Sequence, residues 1–302
     1  MSQMNWDREV DVLVVGTGNG GLTAAVCNWE MGTKDVLIIE KQDKVGGTSA
    51  TSGGGIWIPN SHYAKEAGAE DNPQDAKAYL MNTLFGEDVP EEMIDIYLEK
   101  SPEMLKFLHD RTDVRYESLA EYPDYYTNME GARAGHRSLE PAPIMASELG
   151  ENWKNMTWTH FMMRMFNRIH FTQVEAHLLM VQLPGWKKLL ARLMWDYIRD
   201  IPWRLKTPIS RRLACGSAGV ARLYLSVLKR EIPLEFNTQM VELIAEGDTV
   251  LGAVIECNGQ RQRVRALKGV IVASGGFEKN QALREQYLPA PTNTEWSAGN
   301  PA

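Results

Sequence analysis

The chain has 302 residues, 44% hydrophobic and 24% charged, which excludes a disordered tail, a collagen-like repeat and a disulfide-stapled mini-protein. The formal net charge of −7 argues against nucleic acid as a partner, but it conceals an asymmetry. Residues 160–212 carry ten Lys/Arg against Glu175, Asp196 and Asp200, so this segment stands at +7 and the remainder at −14.

Taken in chain order, Val10 and Val12–Val15 form a short β-branched run that predicts a buried parallel strand. Gly16-Thr17-Gly18-Asn19-Gly20-Gly21 follows, then an apolar helical stretch from Leu22 to about Met31, with Gly32 as its stop. Val36–Ile39 predicts a second buried strand that ends at Glu40. Residues 72–111 read as helical, with Asn72-Pro73 as one start and Pro90-Glu91-Glu92 as another. Residues 112–145 read as a loop. Residues 156–230 read as mostly helical, broken at Pro184, Pro202 and Pro208. Four short strands are then predicted, at 232–237, 240–245, 250–257 and 262–266. Gly247-Asp248 and Asn258-Gly259 mark turns, the latter a hairpin signal. A separate buried strand is expected at Val270–Ala273, closed by Gly275-Gly276.

Ten of the 25 Gly lie between Gly16 and Gly55, a density that serves backbone geometry and not helix or strand stability. Gly16-x-Gly18-x-x-Gly21 between a strand and a helix, with an acid at the end of the next strand, is a dinucleotide-binding fingerprint. Gly16 permits the tight turn, Gly18 lets backbone approach a pyrophosphate, and Gly21 lets helix and sheet pack closely. The helix start, with Asn19 and Gly20, supplies amides for phosphate charge, and Glu40 can accept from ribose hydroxyls. Nicotinamide and flavin dinucleotides share this fingerprint. The run Gly46-Gly47-Thr48-Ser49-Ala50-Thr51-Ser52-Gly53-Gly54-Gly55 would let backbone lie against a flat ring while donating hydrogen bonds.

Residues 41–60, together with Gly269–Pro289 and the final "TEWSAGNPA", resemble the FAD-binding part of the fumarate reductase and 3-ketosteroid dehydrogenase superfamily. The resemblance implies an α/β fold: a Rossmann-like FAD-binding domain with a parallel sheet, an accessory β-meander and a helical insertion at about 60–230. It implies a FAD domain over 1–278 and the start of a second, substrate domain over 279–302. FAD would be non-covalent, since the glycine-rich run has no His, and would be held by Gly16, Gly18, Asn19, Gly20, Gly21, Glu40, Lys41, Gly46, Gly47, Thr48, Ser49, Ser52, Gly53 and Gly54. Met240-Val241 and Ala273-Ser274-Gly275 complete that set.

Tyr122-Pro123-Asp124-Tyr125-Tyr126, with Gly131 and Gly135-x-Arg137, resembles the tyrosine-bearing loop of ketosteroid dehydrogenases. The implied reaction is 1,2-dehydrogenation of 3-ketosteroid ring A, with a hydride passing to flavin and electrons to an external acceptor. Tyr125 would support, by a hydrogen bond, a base tyrosine of the later substrate domain. The family's base tyrosine and ketone-binding pair have no counterpart before Ala302, so the chain is expected to be a fragment that is not active alone. A 5α-3-ketosteroid 4-dehydrogenase, a fumarate-reductase-like enoate reductase and an inactive flavin-binding module stay open as alternatives.

Cys27, Cys215 and Cys257 form no CxxC pair, which argues against a thiolate metal site and suits a reducing compartment. With no apolar run of spanning length, the expected location is cytoplasmic. Trp186, Leu189, Leu190, Leu193, Met194 and Tyr197 recur at helical spacing opposite Lys187, Lys188, Arg192 and Arg199. Such a helix either packs on a core with a solvated basic face or lies in a membrane interface, here through about residues 180–205.

Overall fold

The computed structural model describes residues 5–297, so the last part of the "TEWSAGNPA" resemblance, Ala298–Ala302, lies outside the described residues. The chain divides into two compact units. The first comprises 1–52, 146–160 and 220–302, the second 53–145 and 161–219.

The first unit is built on one six-stranded sheet. Its elements are β1 (Arg8–Val15), α1 (Asn19–Glu30), β2 (Val36–Ile39), α2 (Gly47–Thr51), β3 (Leu234–Glu235), β4 (Thr238–Glu246), β5 (Thr249–Cys257) and β6 (Gln260–Val272). The strand order is β3-β2-β1-β6-β5-β4. The first four are mutually parallel and β5 and β4 run antiparallel, forming the meander. β2 is fully buried, as expected of a strand covered on both faces. Val10, Leu13, Val15, Leu37, Ile39, Ala253, Ile255, Val264 and Ala266 form one core cluster, in which the parallel and antiparallel parts share their packing.

One expectation differs from the structure. The strands expected at 262–266 and 270–273 are a single 13-residue strand, β6. It pairs antiparallel with β5 through residue 265 and parallel with β1 to Val272. Lys268-Gly269 looked like a connection, but the chain absorbs it as a register shift opposite Val10–Val12. The hairpin turns stand as read: Gly247, Asn258 and Gly259 have φ of 59°, 50° and 76°, the left-handed geometry that tight hairpins need.

The second unit mixes helices with short ladders. Helices Pro73–Asn82 and Glu91–Arg111 form where the sequence places them, and the Asn72 side chain caps the first by accepting from Gln74 N at 2.8 Å. The 112–145 stretch is not all loop. Tyr116–Ser118 and Ser138–Pro141 are strands of a three-stranded sheet completed by Ile56–Trp57. Its strands have only two to four residues, too few for alternation to register in sequence.

Residues 156–172 hold no α-helix: Phe161–Met163 is a single 3-10 turn, and Arg164–Met165 and Ile169–His170 form a tiny ladder. The break read at Pro202 is present: helix Trp186–Arg199 ends at Asp200, two residues before the proline. Pro202 itself sits in the first turn of helix Ile201–Arg204, where its missing N–H costs nothing. Thr172 and Glu175 close a capping box at the start of helix Gln173–Met180.

His170 is buried, with its Nδ1 3.1 Å from Ser210 Oγ. Burial, helped by the charges of Arg164 and Arg212, pushes its pKa down to about 3. Between pH 6.5 and about 3 the unfolded imidazole takes a proton that the native one refuses. Stability is therefore complete above about pH 6.5 and falls by roughly 1.4 kcal/mol per pH unit below it. Urea unfolding at pH 7.5, 6.0 and 5.0 should show this slope, and His170→Gln should remove one proton of it. An unchanged slope in the variant would refute the assignment.

Candidate functional site

The turn after β1 is shaped by absent side chains. Gly16 has φ +101°, and a Cβ there would lie 2.5 Å from the Ala273 carbonyl oxygen. A Cβ on Gly21 would lie 2.0 Å from Gly16 O, so α1 can approach the turn only with glycine at this position. α1 opens at Asn19 with Gly18 as N-cap, and no side chain caps it. The first-turn amides are thus available to an anion, apart from Asn19 N, which donates to Ser49 Oγ at 3.0 Å.

A cavity of about 560 Å³ opens over this turn. Of the expected residues, Gly16, Gly18, Asn19, Gly20, Glu40, Lys41, Gly47, Thr48, Ser49, Met240, Ala273, Ser274 and Gly275 line it. Strands β1, β2 and β6 deliver them at their carboxyl ends, where open α/β sheets hold their ligands.

The remaining expected residues do not line it. Gly21 and Gly46 act behind the wall. Gly46 is the left-handed N-cap of α2, and a Cβ there would meet Ala50 at 2.7 Å and Val220 at 2.9 Å. Ser52 ends α2, and its hydroxyl donates to Ser49 O at 2.8 Å. Gly53 and Gly54 belong to the second unit, where Gly54 packs on the backbone of Cys215 and Gly216. Val241 is the extra residue of a bulge between Met240 and Glu242 and has no partner on β5.

Glu40 does more than face a ligand. Its buried carboxylate accepts from Thr17 N at 3.0 Å, from the Thr17 hydroxyl and from Gln42 N at 3.1 Å. Thr17 Oγ1 in turn accepts from Gly46 N at 3.1 Å. Glu40 and Thr17 therefore tie the glycine turn, the end of β2 and the start of α2 into one knot. Of a carboxylate's roughly four lone-pair sites, about one stays open to a ligand hydroxyl.

Sequence reading missed Thr17, Gln42, Thr238, Gln239, Gly276 and Glu278 in the cavity wall. Thr17 occupies a variable position of the fingerprint, and only its hydroxyl hinted at a role. Glu278 reaches the wall from the loop after β6, accepting from Thr48 Oγ1 at 3.3 Å.

The second unit holds the tyrosine loop. Trp57, Tyr79, Tyr122, Tyr125 and Tyr126, with Ile56, Leu80 and Leu119, line a cavity of about 330 Å³. Tyr125 is 83% exposed there. The Tyr122 phenol is held above its ordinary pKa by its interaction with the Tyr125 side chain, then by burial and by the charge of that neighbouring phenol.

The loop stands on a buried ion cluster that sequence reading did not find. Arg137 is 1% exposed. It grips Asp71 with two bonds of 2.9 Å, Asp124 at 2.8 Å and Gly131 O at 2.8 Å. Asp124 also accepts from Trp57 Nε1 at 2.7 Å and from Arg133 N at 2.9 Å.

Parallel strands carrying a glycine turn, an uncapped helix start and an acid at the next strand end define a dinucleotide-binding protein. The family described as FAD binding domain matches residues 11–302, and the chain belongs to it. The chain is 34% identical over 293 residues to a 3-oxosteroid 1-dehydrogenase of Comamonas testosteroni, covering 95% of this chain and 50% of that protein. It is 33% identical over 303 residues to a 3-oxosteroid 1-dehydrogenase of Mycobacterium tuberculosis, covering 97% and 52%. The crystal structure of 3-ketosteroid Δ1-dehydrogenase from Sterolibacterium denitrificans, in complex with 1,4-androstadiene-3,17-dione, superposes with a TM-score of 0.92. That match has 38% identity over 97% of this chain and 52% of the other. The chain thus spans about half the length of these relatives.

The cofactor is FAD, and the cavity residues suit it. Asn19 Oδ1 is buried in the wall with no hydrogen-bond partner in the protein, an acceptor available to a ligand donor. The bare α1 start suits a pyrophosphate. Among the described residues no group of His, Cys, Asp and Glu could hold a metal ion.

Proposed function

We propose that the chain supplies the FAD-binding part of a flavoprotein that dehydrogenates the ring-A 1,2 bond of a 3-ketosteroid, with an external electron acceptor. The observation that carries this reading is the tyrosine-lined cavity, in a chain whose ketosteroid dehydrogenase relatives match it almost end to end. Gly16, Gly18, Asn19, Gly20 and Ser49 hold the pyrophosphate, and Glu40 a ribose hydroxyl. Met240 and Val241 hold the adenine through backbone groups, and Lys41, Gly47, Thr48, Ala273, Ser274 and Gly275 close the binding surface. Gly21 and Gly46 shape it, and Ser52, Gly53 and Gly54 serve the ring end. FAD, bound non-covalently, supplies the hydride acceptor.

The aromatic side chains do the rest. Trp57, Tyr79 and Tyr126 offer flat apolar surface to a fused-ring ligand. Tyr122 interacts with Tyr125, whose exposed hydroxyl supports a base tyrosine from the remaining part of the protein. Titrating the FAD-loaded chain with a 4-en-3-one steroid should perturb the flavin spectrum. Tyr126→Ala, which removes flat apolar surface from the cavity wall, should weaken that response about fivefold. A response to fumarate but not to any ketosteroid would overturn the reading in favour of an enoate reductase.

We also propose a cytoplasmic location with peripheral contact to the inner membrane face through about residues 180–205. Among the described residues no helix is long and apolar enough to cross a membrane. Helix Trp186–Arg199 buries Leu189 and Leu193 but leaves Trp195 62% and Ile198 48% exposed among its basic residues. Ile201 and Leu205 continue that exposed apolar surface. Anionic liposomes at low salt should pellet the chain and neutral ones should not. Equal recovery in both supernatants would refute this contact.

A further inference from the structure

A second cavity in the second unit, of about 380 Å³, has no part in the reading above. Helix Trp186–Arg199, helix Ile201–Arg204 and residues 210–212 wall it, with Met145, Ile169 and His170. Its volume falls in the usual range for small-ligand pockets.

Four arginines line it: Arg199, Arg204, Arg211 and Arg212. Three are matched by internal carboxylates, Arg199 with Asp196 at 2.9 Å, Arg211 with Asp200 at 2.9 Å and Arg212 with Glu175 at 2.9 Å. Arg204 is different. Its guanidinium stacks on the Tyr197 ring at 5.4 Å, and its Nε is buried with no hydrogen-bond partner in the protein. A stacked guanidinium with an idle donor is preorganised for an oxyanion.

The lining carries two more cationic than acidic side chains, and Glu175, behind it, is already taken by Arg192 and Arg212. Burial, helped by the charges of Arg164 and Arg212, keeps His170 neutral, so it adds no cation to the lining.

The rest of the wall is apolar. Leu193, Ile169 and Trp203 are buried, and Met145 is partly exposed at the rim. Both aromatic polar atoms are already satisfied: Trp203 Nε1 donates to Ile209 O at 3.0 Å and Tyr197 OH to Pro208 O at 2.9 Å. They make no further polar demand on a ligand. A lining that combines arginines with apolar side chains suits an amphiphile.

We propose that this cavity binds the phosphate group of an anionic amphiphile, with Arg204 as the principal phosphate contact and Leu193, Trp203 and Met145 receiving the first methylenes of its chain. The site deepens the membrane contact proposed above by giving it a headgroup pocket. It is tested without a bilayer, so the two stand or fall separately.

The test is calorimetric titration of the full chain with dodecyl phosphate below its micellar concentration, beside inorganic phosphate and dodecyl maltoside. Dodecyl phosphate should bind at least tenfold more tightly than either control. Arg204→Gln should weaken it at least tenfold, and Arg204→Lys, which keeps the charge but loses the fork, by an intermediate factor. If thermal melting shows Arg204→Gln to be unfolded, the comparison passes to Arg204→Lys. Equal binding of dodecyl maltoside, or no weakening in a folded Arg204 variant, overturns the site. Equal binding of inorganic phosphate overturns the amphiphile assignment and leaves a simple anion site.

Discussion

Arg137→Met is expected to lower the unfolding free energy by about 3–5 kcal/mol, the range seen when one partner of a buried ion pair is removed. The guanidinium makes four hydrogen bonds, to Asp71, Asp124 and Gly131, and lies 5.8 Å from the Trp57 ring and 5.9 Å from the Tyr79 ring. Its removal leaves Asp124, whose side chain is 1% exposed, without a counter-charge, and leaves Asp71 with the Asn72 amide at 2.8 Å and a 3.5 Å contact to Arg133 Nε. Burial alone would raise the Asp71 pKa, but the Arg137 hydrogen bond and charge, the Asn72 amide and Arg133 outweigh it and hold the pKa below its ordinary value. That stability is fully present above the unfolded carboxyl value near 4 and is lost as pH falls through the lower native value.

The variant should therefore unfold at much lower urea at neutral pH and lose the acid-dependent part of its stability, since Asp71 is no longer held below its ordinary pKa and a stranded carboxylate gains stability when it is protonated. Adding Asp124→Asn to Arg137→Met should recover part of the loss, because a buried amide is cheaper than an unpaired carboxylate. A loss under about 1 kcal/mol would mean that water already reaches the cluster. The site consequence is direct. Asp124 sits between Tyr122 and Tyr125 in the chain, so a loosened cluster unseats the tyrosine loop.

Gly21→Ala is the second large effect. Its new methyl would lie 2.0 Å from Gly16 O, a contact that backbone must relieve by moving α1 away from the turn. Overpacking of this kind costs about 1–3 kcal/mol of stability. The effect on FAD is larger, because the displaced part is the helix start that faces the pyrophosphate. Weakening on the order of 100-fold is expected, equivalent to about 2.7 kcal/mol of binding, and the variant should purify with little flavin.

Gly32→Ala is the control. Gly32 has φ +103°, but a Cβ there meets nothing within 4 Å. It should cost about 1 kcal/mol of backbone strain and leave flavin content unchanged. Equal flavin loss in both variants would place the cause in global stability and not in the turn.

Much of the FAD unit is legible in the sequence because its signals are local. β1, the glycine turn, α1 and β2 follow one another within about 30 residues, each marked by its own periodicity or glycine. The Asn258-Gly259 hairpin is legible for the same reason. Legibility fails where an element draws its meaning from a distant strand. β6 looks like two strands because Lys268-Gly269 interrupts its apolar pattern, and only pairing with β1 carries it through. The Ile56–Trp57, Tyr116–Ser118 and Ser138–Pro141 sheet is assembled from pieces up to 85 residues apart.

The same division runs through the sites. Glycines that need open space or a left-handed φ announce themselves by type, and so does an acid at a strand end. Thr17, Glu278, Asp71, Asp124 and Arg137 do not, since Ser, Thr, Asp, Glu and Arg are ordinary surface residues until a partner is brought to them. Asp71 and Arg137 are 66 residues apart in sequence and 2.9 Å apart in space.

By itself the sequence determined that a basic, aromatic segment interrupts an acidic dinucleotide-binding chain, because composition and spacing are properties of the linear polymer. Only the tertiary structure decided which of those charges are spent. Arg199, Arg211 and Arg212 are matched by carboxylates within 2.9 Å, whereas Arg204 is left with a buried donor in a cavity. Coulomb and hydrogen-bond energies act over a few ångströms, and at that range the folded neighbours and not the sequence neighbours set what a side chain can do.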